Sequence, residues 1–146
     1  MRGSLLVIAT VLTVAPVVPA FAGIIEDDFV HGGGCYIRNY DATHLAAHPK
    51  QLVMQVNLEL SPDQAFDNRT TLYFEFTLRN GHVYGADAYC TASGTCSLEG
   101  DGGTFAIAKS GKGIKLSVGD FLELEGEDFS PDLAKSDDRV FLLNKC

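Results

Sequence analysis

The stretch Cys90-Thr91-Ala92-Ser93-Gly94-Thr95-Cys96 constrains the fold of this chain more than any other. A three-residue hairpin loop combines a type I turn with a last residue in the left-handed region, which glycine enters without a Cβ penalty. With Ala92, Ser93 and Gly94 in the loop, Gly94 takes that place. Thr91 then faces Thr95, and Cys90 faces Cys96. If the threonines are the hydrogen-bonded pair, the cysteines are the non-hydrogen-bonded one, with Cα atoms about 4.5 Å apart. That separation lies at the short end of the disulfide range. The sequence therefore predicts a β-hairpin closed by a Cys90–Cys96 bond.

Such a bond needs an oxidising compartment, and the N-terminus points to one. Arg2 precedes an apolar run over residues 5–14, and Ala20-Phe21-Ala22 has the small-x-small form of a cleavage site. Residues 1–22 read as an export signal. The run is too short to cross a bilayer as a helix, and no other apolar stretch approaches that length. Residues 23–146 are expected to form a single exported domain, periplasmic or extracellular. Four cysteines allow three pairings. The hairpin supplies Cys90–Cys96 and leaves Cys35–Cys146, a bond tying the two ends of the domain. It would close a loop of about 110 residues, worth roughly 4–5 kcal/mol in the chain-entropy account. The Cys-x5-Cys spacing matches neither Cys-x2-Cys nor a zinc knuckle, which disfavours a metal or redox reading.

Arg2 is the one charged residue among the first 22, so residues 23–146 carry 10 Lys and Arg against 19 Asp and Glu, a formal charge of −9. Nucleic acid would be repelled by such a domain. An acidic surface suits solubility, a cation or a basic partner protein.

Along the chain, period-two patterns dominate. In residues 51–60, Leu52, Met54, Val56, Leu58 and Leu60 share one predicted face. In residues 70–79, Leu72, Phe74, Phe76 and Leu78 do so. Further strands are expected over 35–40, 83–90, 104–108, 114–118, 122–124 and 139–146. Residues 23–34 are expected to have little regular structure. One helix is expected over residues 41–48, capped by Asp41, held by packing through Leu45 and stopped by Pro49. The acidic loop 127–138 has room for one helical turn, with Ser130 as cap and Pro131 at the first position. Asn68-Arg69-Thr70 is a glycosylation sequon in a host that glycosylates.

Asn80-Gly81 signals a two-residue hairpin turn. That register sets Phe74 opposite Asp87 and points Asp87 to the apolar face, at high cost for an unpaired carboxylate. A bulge after Gly81 would instead send Tyr84, Ala86, Ala88 and Cys90 inward, and the sequence favours it. If Asp87 were inward, Asp87 and Tyr89 would be the candidate ligand-binding groups.

Other motifs carry less. His31-Gly32-Gly33-Gly34 has the form of an esterase oxyanion loop, but no Gly-x-Ser-x-Gly elbow accompanies it. Ser110-Gly111-Lys112-Gly113 lacks the first glycine of a phosphate loop. His44 and His48 stand four apart on one helix face and are the candidate metal ligands, without the glutamate of His-Glu-x-x-His. The sequence favours two partly exposed histidines bonded to water or backbone. The carboxylates of residues 127–138 lack calcium-loop spacing.

Residues 40–51 (Tyr-Asp-Ala-Thr-His-Leu-Ala-Ala-His-Pro-Lys-Gln) and 137–142 (Asp-Asp-Arg-Val-Phe-Leu) resemble segments of a group of small uncharacterised exported bacterial proteins. The resemblance implies a bacterial host and periplasmic or extracellular residence, and brings no activity or site residues. Size and strand count also resemble the small periplasmic lysozyme inhibitors, as an analogy of architecture. The chain has no tryptophan, and their motif has no counterpart in it.

The expected fold is all-β, a disulfide-stabilised antiparallel barrel or sandwich of about eight short strands with one short helix. The expected function is a non-catalytic exported binding or inhibitor-type module for a basic protein or small ligand, with no cofactor. The alternatives are a metal-dependent or hydrolytic enzyme using His44 and His48, and a structural envelope component.

Overall fold

A computed structural model describes residues 23–64 and 69–146. The export signal read over residues 1–22 and the Asn68 sequon lie outside the described residues. Eight antiparallel strands form a closed barrel in which each strand pairs with its sequence neighbours and the last returns to the first. They are β1 (Cys35–Asn39), β2 (Val53–Leu60), β3 (Thr70–Leu78), β4 (Val83–Cys90), β5 (Thr95–Leu98), β6 (Gly103–Ser110), β7 (Gly113–Leu122) and β8 (Val140–Lys145), with one α-helix, α1 (Ala42–Ala47), between β1 and β2. Of the two architectures the sequence allowed, the barrel is the one formed. No helix among the described residues is long and apolar enough to cross a membrane.

The Cys90–Cys96 hairpin has the expected form. Thr91 donates its N–H to the Thr95 carbonyl and Gly94 to the Thr91 carbonyl, both at 2.9 Å. Gly94 sits at φ +91°. The cysteines face each other with Cα atoms 4.1 Å apart and are bonded. Cys35–Cys146 is the second disulfide, with Cα atoms 5.4 Å apart.

The same loop geometry settles the register of β3 and β4. Leu78 donates to the His82 carbonyl and Gly81 to the Leu78 carbonyl, both at 2.9 Å, with Gly81 at φ +87°. The loop is therefore the three-residue Arg79-Asn80-Gly81, a type I turn closed by a left-handed glycine. One extra loop residue moves every β4 side chain to the opposite face. Phe76 pairs with Tyr84, Phe74 with Ala86 and Tyr73 with Asp87. Tyr84, Ala86, Ala88 and Cys90 enter the core, while Asp87 and Tyr89 face outward.

Two other patterns depart from simple alternation. Val53 pairs with Leu78 but Gln55 with Thr77, so Met54 is an extra residue in β2. Val53 is thereby buried at 0% exposure and Met54 displaced outward at 36%. The expected strand 114–118 continues as β7 to Leu122 through an irregularity opposite Thr104, and Glu123 and Leu124 of the expected strand 122–124 lie beyond its end. There the Thr104 backbone and hydroxyl lie where a Cβ on Gly119 would sit.

Side chains fill the barrel interior. Tyr36, Leu58, Leu72, Phe74, Phe76, Leu116, Phe141 and Leu143 are each at most 1% exposed. The end where the odd-numbered strands begin carries both disulfides. It is plugged by residues that the sequence left irregular: Glu26–Val30 form one wide helical turn that buries Phe29. The Phe29 ring lies 5.3 Å from that of Tyr36. The Tyr36 hydroxyl donates to Asp28 Oδ1 at 2.8 Å, and Lys109 pairs with the same carboxylate. Burial, then the bond to Asp28 and its charge, push the Tyr36 phenol up to about 12.

At the other end, Asp41 caps α1 by accepting the His44 N–H at 2.7 Å. The helix buries none of its residues. Arg79, not packing through Leu45, holds its C-terminal turn: the guanidinium donates to the Leu45 carbonyl at 2.7 Å, to the Gln51 carbonyl at 2.5 Å and to that of His48. The turn within residues 127–138 is a 3-10 turn, Leu133–Lys135, capped by Asp132 rather than Ser130. Burial pushes the Asp132 carboxyl up, but the Leu122 and Ala134 N–H groups and Lys135 outweigh it and hold it below the ordinary aspartate value.

Candidate functional site: an acidic cleft at the open edge of a strand

β5 is only four residues long because the chain turns away after Leu98. Glu99–Asp101 form a 3-10 turn, with Gly100 at φ +64° and Asp101 at φ +57°. β5 therefore pairs only with residues 88–90 of β4. Residues 83–87 have β3 on one side and no strand on the other. Antiparallel ladders alternate between bonded and non-bonded pairs. Because Leu78 bonds His82, the even-numbered residues of β4 bond β3, and the N–H and C=O groups of Val83, Gly85 and Asp87 point to the open side. The Asp87 N–H is taken by Glu99 Oε1 at 3.2 Å.

Beside this edge lies a cleft of about 500 Å³. Gly85 and Ala86 form one wall, residues 99–102 the floor, and Phe121, Glu123, Leu124, Glu125 and Phe129 the far wall. Phe121 is 40% and Phe129 65% exposed, apolar rings presented to whatever enters. A second hollow of about 250 Å³ borders His82, Val83 and Tyr84 opposite Glu127 and Asp128. Gly85 lets the Tyr73 ring lie across the outer face of the strand: a Cβ would sit 2.1 Å from the Tyr73 hydroxyl and displace it.

The electrostatics are one-signed. Glu99, Asp101, Glu123 and Glu125 line the cleft. Burial and then the charges of Glu75, Asp87, Glu59 and Glu99 raise the neighbouring Tyr73 phenol. Ion pairs among the described residues join His31 to Glu26, Lys109 to Asp28 and Lys135 to Asp132, and none reaches these carboxylates. Their field is left for a cation to neutralise.

The residues singled out from sequence fall elsewhere. Asp87 and Tyr89 line no interior. Asp87 borders the cleft through its bond to Glu99, and Tyr89 lies under the Arg69 guanidinium, 5.0 Å from ring centre to Cζ. His44 and His48 come together, rings stacked at 4.3 Å, with Tyr40 4.6 Å from His44. His44 Nε2 is hydrogen-bonded to Gln51 Oε1 at 2.9 Å. No group of three metal-ligating side chains occurs among the described residues, so this pair meets no third ligand there.

Asp138, 1% exposed, accepts the Leu52 N–H at 2.7 Å and the Val53 N–H at 3.1 Å. It thereby fixes the chain leaving α1 to the chain entering β8. The chain matches no known protein family, and comparison with curated proteins and with solved structures finds no match.

Proposed function

We propose that the protein is an exported, non-catalytic binding module that holds a basic partner in the acidic cleft beside β4. One observation carries this reading: four carboxylates with no cationic partner among the described residues line a cleft that also offers two exposed phenylalanine rings. Such a lining suits a lysine- or arginine-bearing surface, since ring faces add cation–π attraction to the charge. Two disulfides in a chain with an export-signal pattern fit residence in the periplasm or outside the cell.

Titration with fluorescein-labelled hexalysine tests the reading. Binding is expected at low salt and is expected to weaken as the Debye length shrinks to about 5–6 Å near 0.3 M salt. The variant D101N/E123Q/E125Q should lose most of the binding. A control of equal charge outside the cleft, D27N/D63N/D137N, should keep it. Equal weakening in both variants would overturn the assignment to the cleft.

A further inference from the structure

The open edge of β4 deepens that proposal, and the inference below rests on it. We propose that the partner enters as an extended basic segment and adds to β4 as a further strand. Val83 and Gly85 turn their N–H and C=O groups toward the side β5 has left, and no hydrogen bond among the described residues occupies them. A strand edge of this kind is a template for another chain. On its other side β4 pairs with β3 along its whole length. The opening is made by the Glu99–Asp101 turn, held in two successive positive-φ residues, one of them the aspartate Asp101. Glycine at position 85 carries no side chain, and the Tyr73 ring covers the outer face of the strand there.

Charge selects the occupant. A strand laid along residues 83–87 would have Glu99 and Asp101 at one end and Glu123 and Glu125 along its far side. Glu127 and Asp128 stand beside the start of β4. A second copy of this chain would bring the same carboxylates against themselves, so it is disfavoured. A segment alternating lysine or arginine with apolar residues meets both needs, because successive side chains of a strand point to opposite faces. Its cations face the carboxylates, and its apolar side chains meet Phe121, Phe129 and the exposed Val83.

The acetylated peptide Lys-Val-Lys-Val-Lys-Val and two N-methylated forms of it test this. One form is methylated on alternate amides of one edge and the other on the opposite edge, so all three carry the same charge. Strand addition is expected to leave one methylated form near the parent affinity. It should weaken the other by about ten-fold or more, since that form can no longer donate backbone hydrogen bonds to the β4 edge. Amide exchange of Val83 and Gly85 should slow on binding, while Tyr84 and Ala86, already bonded to β3, change little. Equal affinity of all three peptides with unchanged exchange at Val83 and Gly85 would overturn strand addition and leave the acidic cleft standing. So would binding of hexalysine without binding of the extended peptide. Failure of both hexalysine and the peptide would overturn the inference together with the binding role. A concentration-dependent dimer that protects the same two amides in the absence of peptide would show the edge taken by a second copy, and would refute the basic segment.

Discussion

The two disulfides contribute to stability through different states of the chain. Cys35 and Cys146 are 111 positions apart and Cys90 and Cys96 only 6. The chain-entropy relation gives about 4.8 kcal/mol for the long closure and about 2.4 kcal/mol for the short one. Loss of the short bond also removes two core sulfurs, since Cys90 and Cys96 are 1% and 0% exposed. Each adds about 1 kcal/mol of lost burial. Both C35A/C146A and C90A/C96A are therefore expected to lose about 4–5 kcal/mol. For a domain of this size that is a fall in Tm of about 15–20 °C, at about 4 °C per kcal/mol. The urea slope m separates them, because m follows the surface exposed on unfolding. Opening a loop that encloses most of the chain lets the unfolded state expand, so m should rise in C35A/C146A. Opening a seven-residue hairpin should leave m within error. Equilibrium unfolding by circular dichroism measures both quantities. An unchanged m in C35A/C146A, or a larger rise in C90A/C96A, would refute the division of roles.

Three further outcomes follow from local geometry. Gly81→Ala meets open space and should cost only the left-handed penalty of about 1–2 kcal/mol, whereas Gly94→Ala places a Cβ 2.4 Å from the Ile107 carbonyl oxygen and should cost about 3 kcal/mol or more, both read from urea midpoints. A phenol with a folded pKa above its unfolded value stabilises the fold below the unfolded value and loses that contribution as pH rises through the folded one. The Tyr36 share should therefore be lost between pH 10 and about 12, and Tyr36→Phe should flatten that alkaline limb while leaving Asp28 short of a donor; an identical alkaline profile would contradict this. Arg79→Gln removes donors from three carbonyls and should cost about 1–2 kcal/mol, with faster amide exchange at His48, whose N–H bonds close the end of α1. Unchanged exchange would return the helix to packing alone.

Much of the barrel was legible because alternation and glycine turns are local signals. The Cys90–Cys96 hairpin was readable to the residue, since seven positions fix loop, register and bond together. The β3–β4 turn was ambiguous because Asn80-Gly81 serves a two-residue or a three-residue loop equally well. The apolar character of Tyr84, Ala86 and Ala88 decided for the latter. Met54 misled because a methionine fits the apolar row that the bulge then moves outward. The wide helical turn of residues 26–30 carries no apolar periodicity, since of its five residues only Asp28 and Phe29 are buried and one of them is a carboxylate. The cleft was not legible at all. Its walls come from residues 85–86, 99–102 and 121–129, and in sequence its carboxylates read as solvated loop charges. What makes them a site is the early end of β5, which depends on two left-handed residues after Leu98.

The most direct test of the account is a map of backbone amide shifts on titration with hexalysine. Shifts are expected to cluster at Gly85, residues 99–102 and residues 121–129, and to vanish in D101N/E123Q/E125Q while persisting in D27N/D63N/D137N. Shifts scattered over the acidic surface, or centred on His44 and His48, would contradict it.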